Sequence, residues 1–158
     1  TGKSFKENSE LKARYFFKKS KISTISDDSG LCVDCLNGKP GIYSARWAKK
    51  YGNFDNAGKK IIELVEKKNK NKKTKNFKAK FVCSLTFHYD NKKKMTTIGV
   101  VNGKISDRLL GKKGFGYDPI FIPSGKKITF GQMNKRKKIL LDHRFLAFKK
   151  LKRKISIL

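Results

Sequence analysis

Alternation dominates the middle of the chain. In FKAKFVCSLTFHY the residues Phe77, Ala79, Phe81, Cys83, Leu85, Phe87 and Tyr89 all hold odd positions, so an extended backbone would place them on one face and a long strand is predicted. DNKKK has turn chemistry and leads into MTTIGVV, and NG then leads into KISDRLL, which together predict an antiparallel meander. Helical spacing occurs elsewhere. Ser4 precedes FKENSELKARYFFKKS with Glu7 at the capping-box position, predicting a capped helix on which Leu11 and Tyr15 share a face. From Phe54 to Lys68, Ala57, Ile61, Leu64 and Val65 recur at helical intervals before KKNKNKKTKN, a solvated lysine-rich loop. A last helix, from about Asn134 to Lys154, is expected to bury Leu141, Phe145 and Phe148 on one stripe, with Leu140, Ala147 and Leu151 beside it. Short strands are expected in KISTIS, which runs into the acid pair Asp27-Asp28, and in IFIP after a glycine-rich loop. LCVDCL is apolar and β-prone, and NGKPG has turn composition. Helices and strands intermix without repeats, so the expected class is α/β, a mixed sheet with flanking helices.

Composition alters this picture mainly at the surface. A chain of 158 residues with 37% hydrophobic content and 12 Phe can bury a core as one domain over residues 1–158. Its mean hydropathy of −0.61 therefore reflects abundant surface lysine. Lys and Arg number 40 against 12 Asp and Glu, a formal net charge of +28, which concentrates anions such as nucleic acid, anionic membrane or a phosphorylated small molecule. Lysine is spread over helices, hairpins and loops and arginine, the better reader of bases, is rare, which favours an anionic small-molecule substrate over nucleic acid. Three cysteines, Cys32, Cys35 and Cys83, are an odd number, which argues against a secreted disulfide framework and for a reducing, cytoplasmic setting. No apolar run approaches the roughly 20 residues of a membrane-spanning helix, so no membrane partner is expected. The first residue is Thr and not Met, and the expectation is that the natural N-terminus is missing.

Three stretches could carry chemistry. Asp27 and Asp28 follow a predicted strand and precede Ser29 and Gly30, the place where an open α/β sheet presents ligands, although Asp, Ser and Gly also make ordinary turns. In so basic a chain a divalent cation would relieve the repulsion between adjacent acids, and Mg²⁺ takes hard oxygen ligands together with substrate phosphates. In GKKGFGYDP, Gly111, Gly114 and Gly116 allow close backbone approach, while Phe115 and Tyr117 offer flat faces for a base; a structural turn is the competing reading. KKILLDHRF places Lys138, Asp142, His143 and Arg144 on the last helix, away from its apolar stripe. Lys138 and Asp142 have the spacing of a surface pair, whereas His143 and Arg144 are donors suited to a keto oxygen or a phosphate. CVDC has the spacing of a metal or redox half-site, but on a strand Cys32 and Cys35 face opposite sides, so two buried small residues are expected there. His88, on the even face of the long strand, is assigned to the surface.

SDDSGLCVDCLNGKPGIYSAR, GFGYDPIFIP and the Lys138–His143–Arg144 segment closely resemble the inosine triphosphate pyrophosphatase family, and TGKSFKENSELKAR resembles that family's Thr-Gly-x-(Ser/Thr)-Phe-x-Glu-Asn-Ala helix. The likeness runs from Thr1 to about Leu151. It implies an elongated mixed sheet with two lobes around a nucleotide cleft, usually as a homodimer. The implied reaction is Mg²⁺-dependent hydrolysis of noncanonical purine triphosphates such as dITP, ITP and XTP to monophosphate and pyrophosphate, which cleanses the nucleotide pool without requiring nucleic acid. Carried over by position, Asp28 binds metal and acts as general base, Ser29 touches substrate, Phe115, Gly116, Tyr117 and Asp118 hold the base, and Lys138, His143 and Arg144 grip the nucleotide. Such chemistry needs a base beside the attacking water and cations against the developing charge.

The departures are specific. The family's opening strand, its Thr-Gly-Asn-x-x-Lys phosphate loop and the following helix have no counterpart, which leaves the activity of this segment by itself open. Its Ser-His-Arg reads Asp142-His143-Arg144, so that the Asp142 charge is expected to draw a proton onto His143, and its Glu before the helix lysine reads Lys137. Ser9 replaces the usual Ala, and Gly131-Gln132 replaces Ala-Glu. Two other readings compete: a basic nucleic-acid-binding module with structural acids, and a septum-inhibitor-like nucleotide pyrophosphatase of different base preference. The FGYDP and His-Arg motifs favour the purine branch.

Overall fold

Helix α1 (Phe5–Ser20) opens the computed structural model, which describes residues 2–156. The Ser4 hydroxyl accepts from Glu7 N–H at 3.1 Å, and the Glu7 carboxylate reaches back to Lys3 N–H at 2.7 Å. Then come β1 (Thr24–Val33), 3-10 turns at Asp34–Leu36 and Gly41–Tyr43, α2 (Ser44–Lys50), α3 (Phe54–Asn69), β2 (Lys78–Asp90) and β3 (Lys93–Ile105). A further 3-10 turn (Asp118–Ile120), β4 (Phe121–Pro123), α4 (Lys135–Ile139) and α5 (His143–Ile155) complete the order. The strands form one sheet, β1-β2-β3-β4. The expected α/β class is what forms, and among the described residues every pairing is antiparallel, because neighbours in the sheet are also consecutive in the chain.

Strand β2 is covered on both faces. Its odd side holds Ala79 and Phe81 in a core shared with Ala57, Ile61 and Val65 of α3, then Cys83 and Leu85 beneath Ala147 and Leu151 of α5. Its even side carries Ser84, Thr86 and His88 under α1. There the fully buried Ser9 hydroxyl lies 2.9 Å from Ser84 Oγ and 2.8 Å from Thr86 Oγ1, which gives the replacement of alanine at position 9 a physical account. His88 is consequently not at the surface: α1 lays Phe17 against its ring, with centroids 4.7 Å apart.

Other boundaries differ from the sequence expectation for identifiable reasons. β1 does not stop at the acid pair but runs through it, with Asp27 opposite Leu85 and Asp28 opposite Ser84, since ladder pairing from Thr24 to Val33 overrides the turn preference of Asp-Ser-Gly. Cys35 lies in a 3-10 turn, and it and Cys32 are only half-buried. Asn102-Gly103 is not a turn; β3 continues through it, and a Cβ at Gly103 would strike the Ile122 carbonyl oxygen of β4. On α1 the buried face is Ser9, Ala13 and Phe17, leaving Tyr15 half-exposed.

The single last helix is instead two, broken at 140–142, with Asp142 capping α5 through its carboxylate and Arg144 N–H at 2.8 Å. The break resets the helical phase, so His143, Ala147 and Leu151 face inward and Phe148 faces out. Gly99 of β3 lets α5 settle: a Cβ there would overlap the His143 carbonyl oxygen and lie 3.1 Å from Ala147 Cβ. Gly99→Ala should therefore lower stability by about 1–3 kcal/mol through overpacking, read as a fall in the urea midpoint at constant m. An unchanged midpoint would contradict this close contact.

Candidate active site

The acid pair is divided by the pleat of β1. Asp28 points toward α1, where Oδ2 accepts from Asn8 Nδ2 at 3.1 Å and Oδ1 faces Lys12 Nζ at 3.0 Å. Lys12 also donates to the Asp27 carbonyl. Asp27 points the other way, accepting from Ser29 Oγ at 2.9 Å and lying 3.5 Å from Arg144 Nε. The two carboxylates thus sit on opposite faces, each beside its own cation, and mutual repulsion gives no reason for a metal. Gly30, next along, takes the backbone of the Gly41–Tyr43 turn so closely that a Cβ would collide with the Gly41 carbonyl oxygen.

The glycine-rich loop wraps around a carboxylate. Asp118 is 2% exposed, and its Oδ2 accepts from Phe115 N–H at 2.5 Å and from Lys138 Nζ at 2.6 Å. Burial pushes the Asp118 carboxyl up from its ordinary value, against the pull of Lys138 and the Phe115 amide. Gly114, at φ 86, lies so close to this carboxylate that a Cβ would overlap it. Tyr117 donates to the Ser44 carbonyl at 2.9 Å, and its ring meets Phe54 edge-on at 5.1 Å. Phe115 also packs on Phe54, at 5.2 Å, but remains 67% exposed. Gly131, where the family motif has alanine, leaves a Cβ only 2.8 Å from Pro119 Cα, so a side chain would disturb the same loop.

Lys138 connects this loop to the last helix, since its Nζ also lies 3.4 Å from Asp142 Oδ2. His143 is not on a polar flank: it is 3% exposed and stacked on Phe81, centroids 4.8 Å apart and planes 9° from parallel. Burial, with Arg144 and Lys138 nearby, lowers its pKa to about 4 despite the opposing pull of Asp142 and Asp27. Asp142 therefore does not charge His143; desolvation outweighs it.

These elements enclose a cavity of about 220 Å³, lined by every residue to which the resemblance assigned a role: Asp28, Ser29, Phe115, Gly116, Tyr117, Asp118, Lys138, His143 and Arg144. Asp27, the other half of the acid pair, lines it too, and so do Lys12 and Phe54, which were not anticipated, nor was Asn8 beside Asp28. The i,i+4 spacing of Asn8 and Lys12 on a capped helix was the available signal for two of them. Burial raises the thiols of Cys32 and Cys35, and that of Cys83 to about 11, so none is an activated nucleophile.

Residues 1–154 match the Ham1 family. The chain belongs to the Ham1 family. Among its relatives, the dITP/XTP pyrophosphatase of Dictyoglomus thermophilum is 44% identical over 96% of this chain and 72% of its own length. That of Clostridium perfringens is 41% identical over 96% and 75%. In structure, the HAM1 protein of Coxiella burnetii superposes with a TM-score of 0.91 at 30% identity, covering 100% of this chain and 79% of its own. The Ham1 protein of Staphylococcus aureus gives 0.88 at 35% identity, over 99% and 78%. In this chain the fold holds an aromatic and cationic cavity beside β1.

Because His143 binds its proton more weakly folded than unfolded, folding is favoured above its ordinary value of 6.5 and that contribution is lost as pH falls from there toward about 4. The loss is on the order of 3 kcal/mol across that interval. His143→Gln should flatten this part of the stability–pH curve, measured by urea unfolding at successive pH values; an unaltered slope would mean that the imidazole titrates normally.

Proposed function

We propose that this protein hydrolyses noncanonical purine nucleoside triphosphates, among them dITP, ITP and XTP, to the monophosphate and pyrophosphate. The reading is supported by the position of Asp28. This residue, with Lys12 and Ala45, lines both the 220 Å³ cavity and an adjoining groove of about 680 Å³ that also carries Arg14, Lys18 and Arg46. A base and sugar in the first and a polyphosphate along the second would bring the bond between the α and β phosphates to Asp28. The names of the relatives point to the same chemistry.

In this reading the base enters beside the exposed Phe115 ring, with Tyr117 and Phe54 as fixed aromatic support. Asp28, held by Asn8 and Lys12, accepts the proton of the attacking water. Lys12 lies where it can neutralise phosphate charge as it grows. A 6-keto oxygen would accept from the His143–Arg144 end of the cavity, whereas adenine's amino group would leave a donor there unpaired, at a cost of about 1–3 kcal/mol. Among the described residues no group of three or more His, Cys, Asp or Glu forms a metal cage. The single Asp28 carboxylate nevertheless suits Mg²⁺ carried in by a nucleotide, since that ion commonly takes one or two carboxylates plus phosphates. When bound it would offset charge on the phosphate oxygens. A homodimer in a reducing cytoplasm belongs to the same reading, and sedimentation velocity measures the former.

The test is pyrophosphate release by the protein at its natural length. dITP and XTP should be cleaved far faster than dATP or dGTP, chelation of Mg²⁺ should stop turnover, and Asp28→Asn should lower kcat by about 10²–10⁴-fold. Equal rates on the ordinary nucleotides would refute the base preference, and full activity of Asp28→Asn the role of that carboxylate.

A further inference from the structure

The Nδ1 atom of His143 is buried without a hydrogen-bond partner, and Asp142 Oδ1 lies 3.5 Å from it. On the opposite edge of the ring, Nε2 lies 3.3 Å from Arg144 Nη1. A guanidinium only donates, so the ring atom facing it must supply a lone pair. The imidazole proton then belongs on Nδ1, the edge beside the Asp142 carboxylate, whose charge favours it there electrostatically without a formed hydrogen bond. Stacking on Phe81 fixes the ring plane, so these two edges are the only ones open to in-plane bonding. The alternative tautomer would set an N–H against the Arg144 donor and a lone pair against a carboxylate, which is unfavourable at both edges.

Asp142 is itself held rigidly. Its Oδ1 caps α5 through Arg144 N–H at 2.8 Å, and Oδ2 lies 3.4 Å from Lys138 Nζ. Arg144, by contrast, is 46% exposed along its side chain and lines the cavity, with Nε 3.5 Å from Asp27 Oδ2 on its other side. We propose that Asp142 is a positioning residue: it holds His143 as the Nδ1–H tautomer, whose Nε2 lone pair anchors the Arg144 guanidinium, so that Arg144 and not His143 is the donor presented to the base. The last clause rests on the nucleotide reading above; the tautomer does not. A serine at position 142 would cap the helix equally well but, as both donor and acceptor, would not select between the tautomers.

Long-range ¹H–¹⁵N spectra of the labelled protein test this directly, because the two imidazoles are told apart by ring contacts, His143 to Phe81 and His88 to Phe17. The expected pattern for His143 is a pyrrole-type Nδ1 and a pyridine-type Nε2; the reverse overturns the proposal without any variant being made. Asp142→Asn keeps Oδ1 as the N-cap but removes the negative charge beside Nδ1, and should shift the population toward Nε2–H. It should also lower the preference for ITP over ATP in kcat/KM by about tenfold, with the loss mainly in KM. Asp142→Ser serves if the asparagine variant does not fold. An unchanged tautomer in a folded variant overturns the proposal. The expected tautomer together with no hydrolysis of any nucleotide would count against the nucleotide reading alone.

Discussion

The buried ion pair between Asp118 and Lys138 ties together the parts of the molecule that matter. One carboxylate oxygen takes both the Phe115 amide, which closes the glycine-rich loop, and the lysine of α4, which brings in the last helix pair. Removing either partner would strand a charge in a site shielded from water, a change that typically costs several kcal/mol. Lys138 also sits over the Phe130 ring, at 5.3 Å, so its charge is balanced on more than one side.

The second constraint is the pleat. An edge strand paired along its whole length with β2 sends alternate residues to opposite faces, and helices cover both. Asp28 goes to α1 and Asp27 toward α5, so one dipeptide serves both sides of the cavity. Close contacts at Gly30, Gly99 and Gly114 hold the covering elements near enough for this to work, each being a place where a Cβ would meet a backbone or carboxylate oxygen. Positive charge supplies the remaining logic: Lys12, Arg144 and Lys138 each already face a carboxylate, and are placed to exchange part of that pairing for a phosphate or a base oxygen.

Local signals identified α1 and its Ser4 cap, α3, the long β2 and the short β4, because capping residues and periodicity act over a few residues. They misplaced the burial of the last helix and left that of α1 undecided, because the inward face is chosen by what lies opposite: Gly99 for α5, and the hydroxyls of Ser84 and Thr86 for α1. The site residues were legible through motif resemblance, since Phe115 to Asp118 and Lys138 to Arg144 are contiguous or nearly so. Asn8, Lys12 and Phe54 were not, as their importance arises only across the fold.

The amino-acid sequence by itself determined α1, α3, β2 and β4, the excess of positive charge and the family, all of which depend on near neighbours or on recurring residue patterns. The tertiary structure alone decided that the adjacent acids part to opposite faces, that His143 is buried and His88 covered, and that Asp142 stands between a lysine and an imidazole. The physical reason is the same in each case. Desolvation and hydrogen-bond partnership are properties of what packs against a residue, and those partners are far away along the chain.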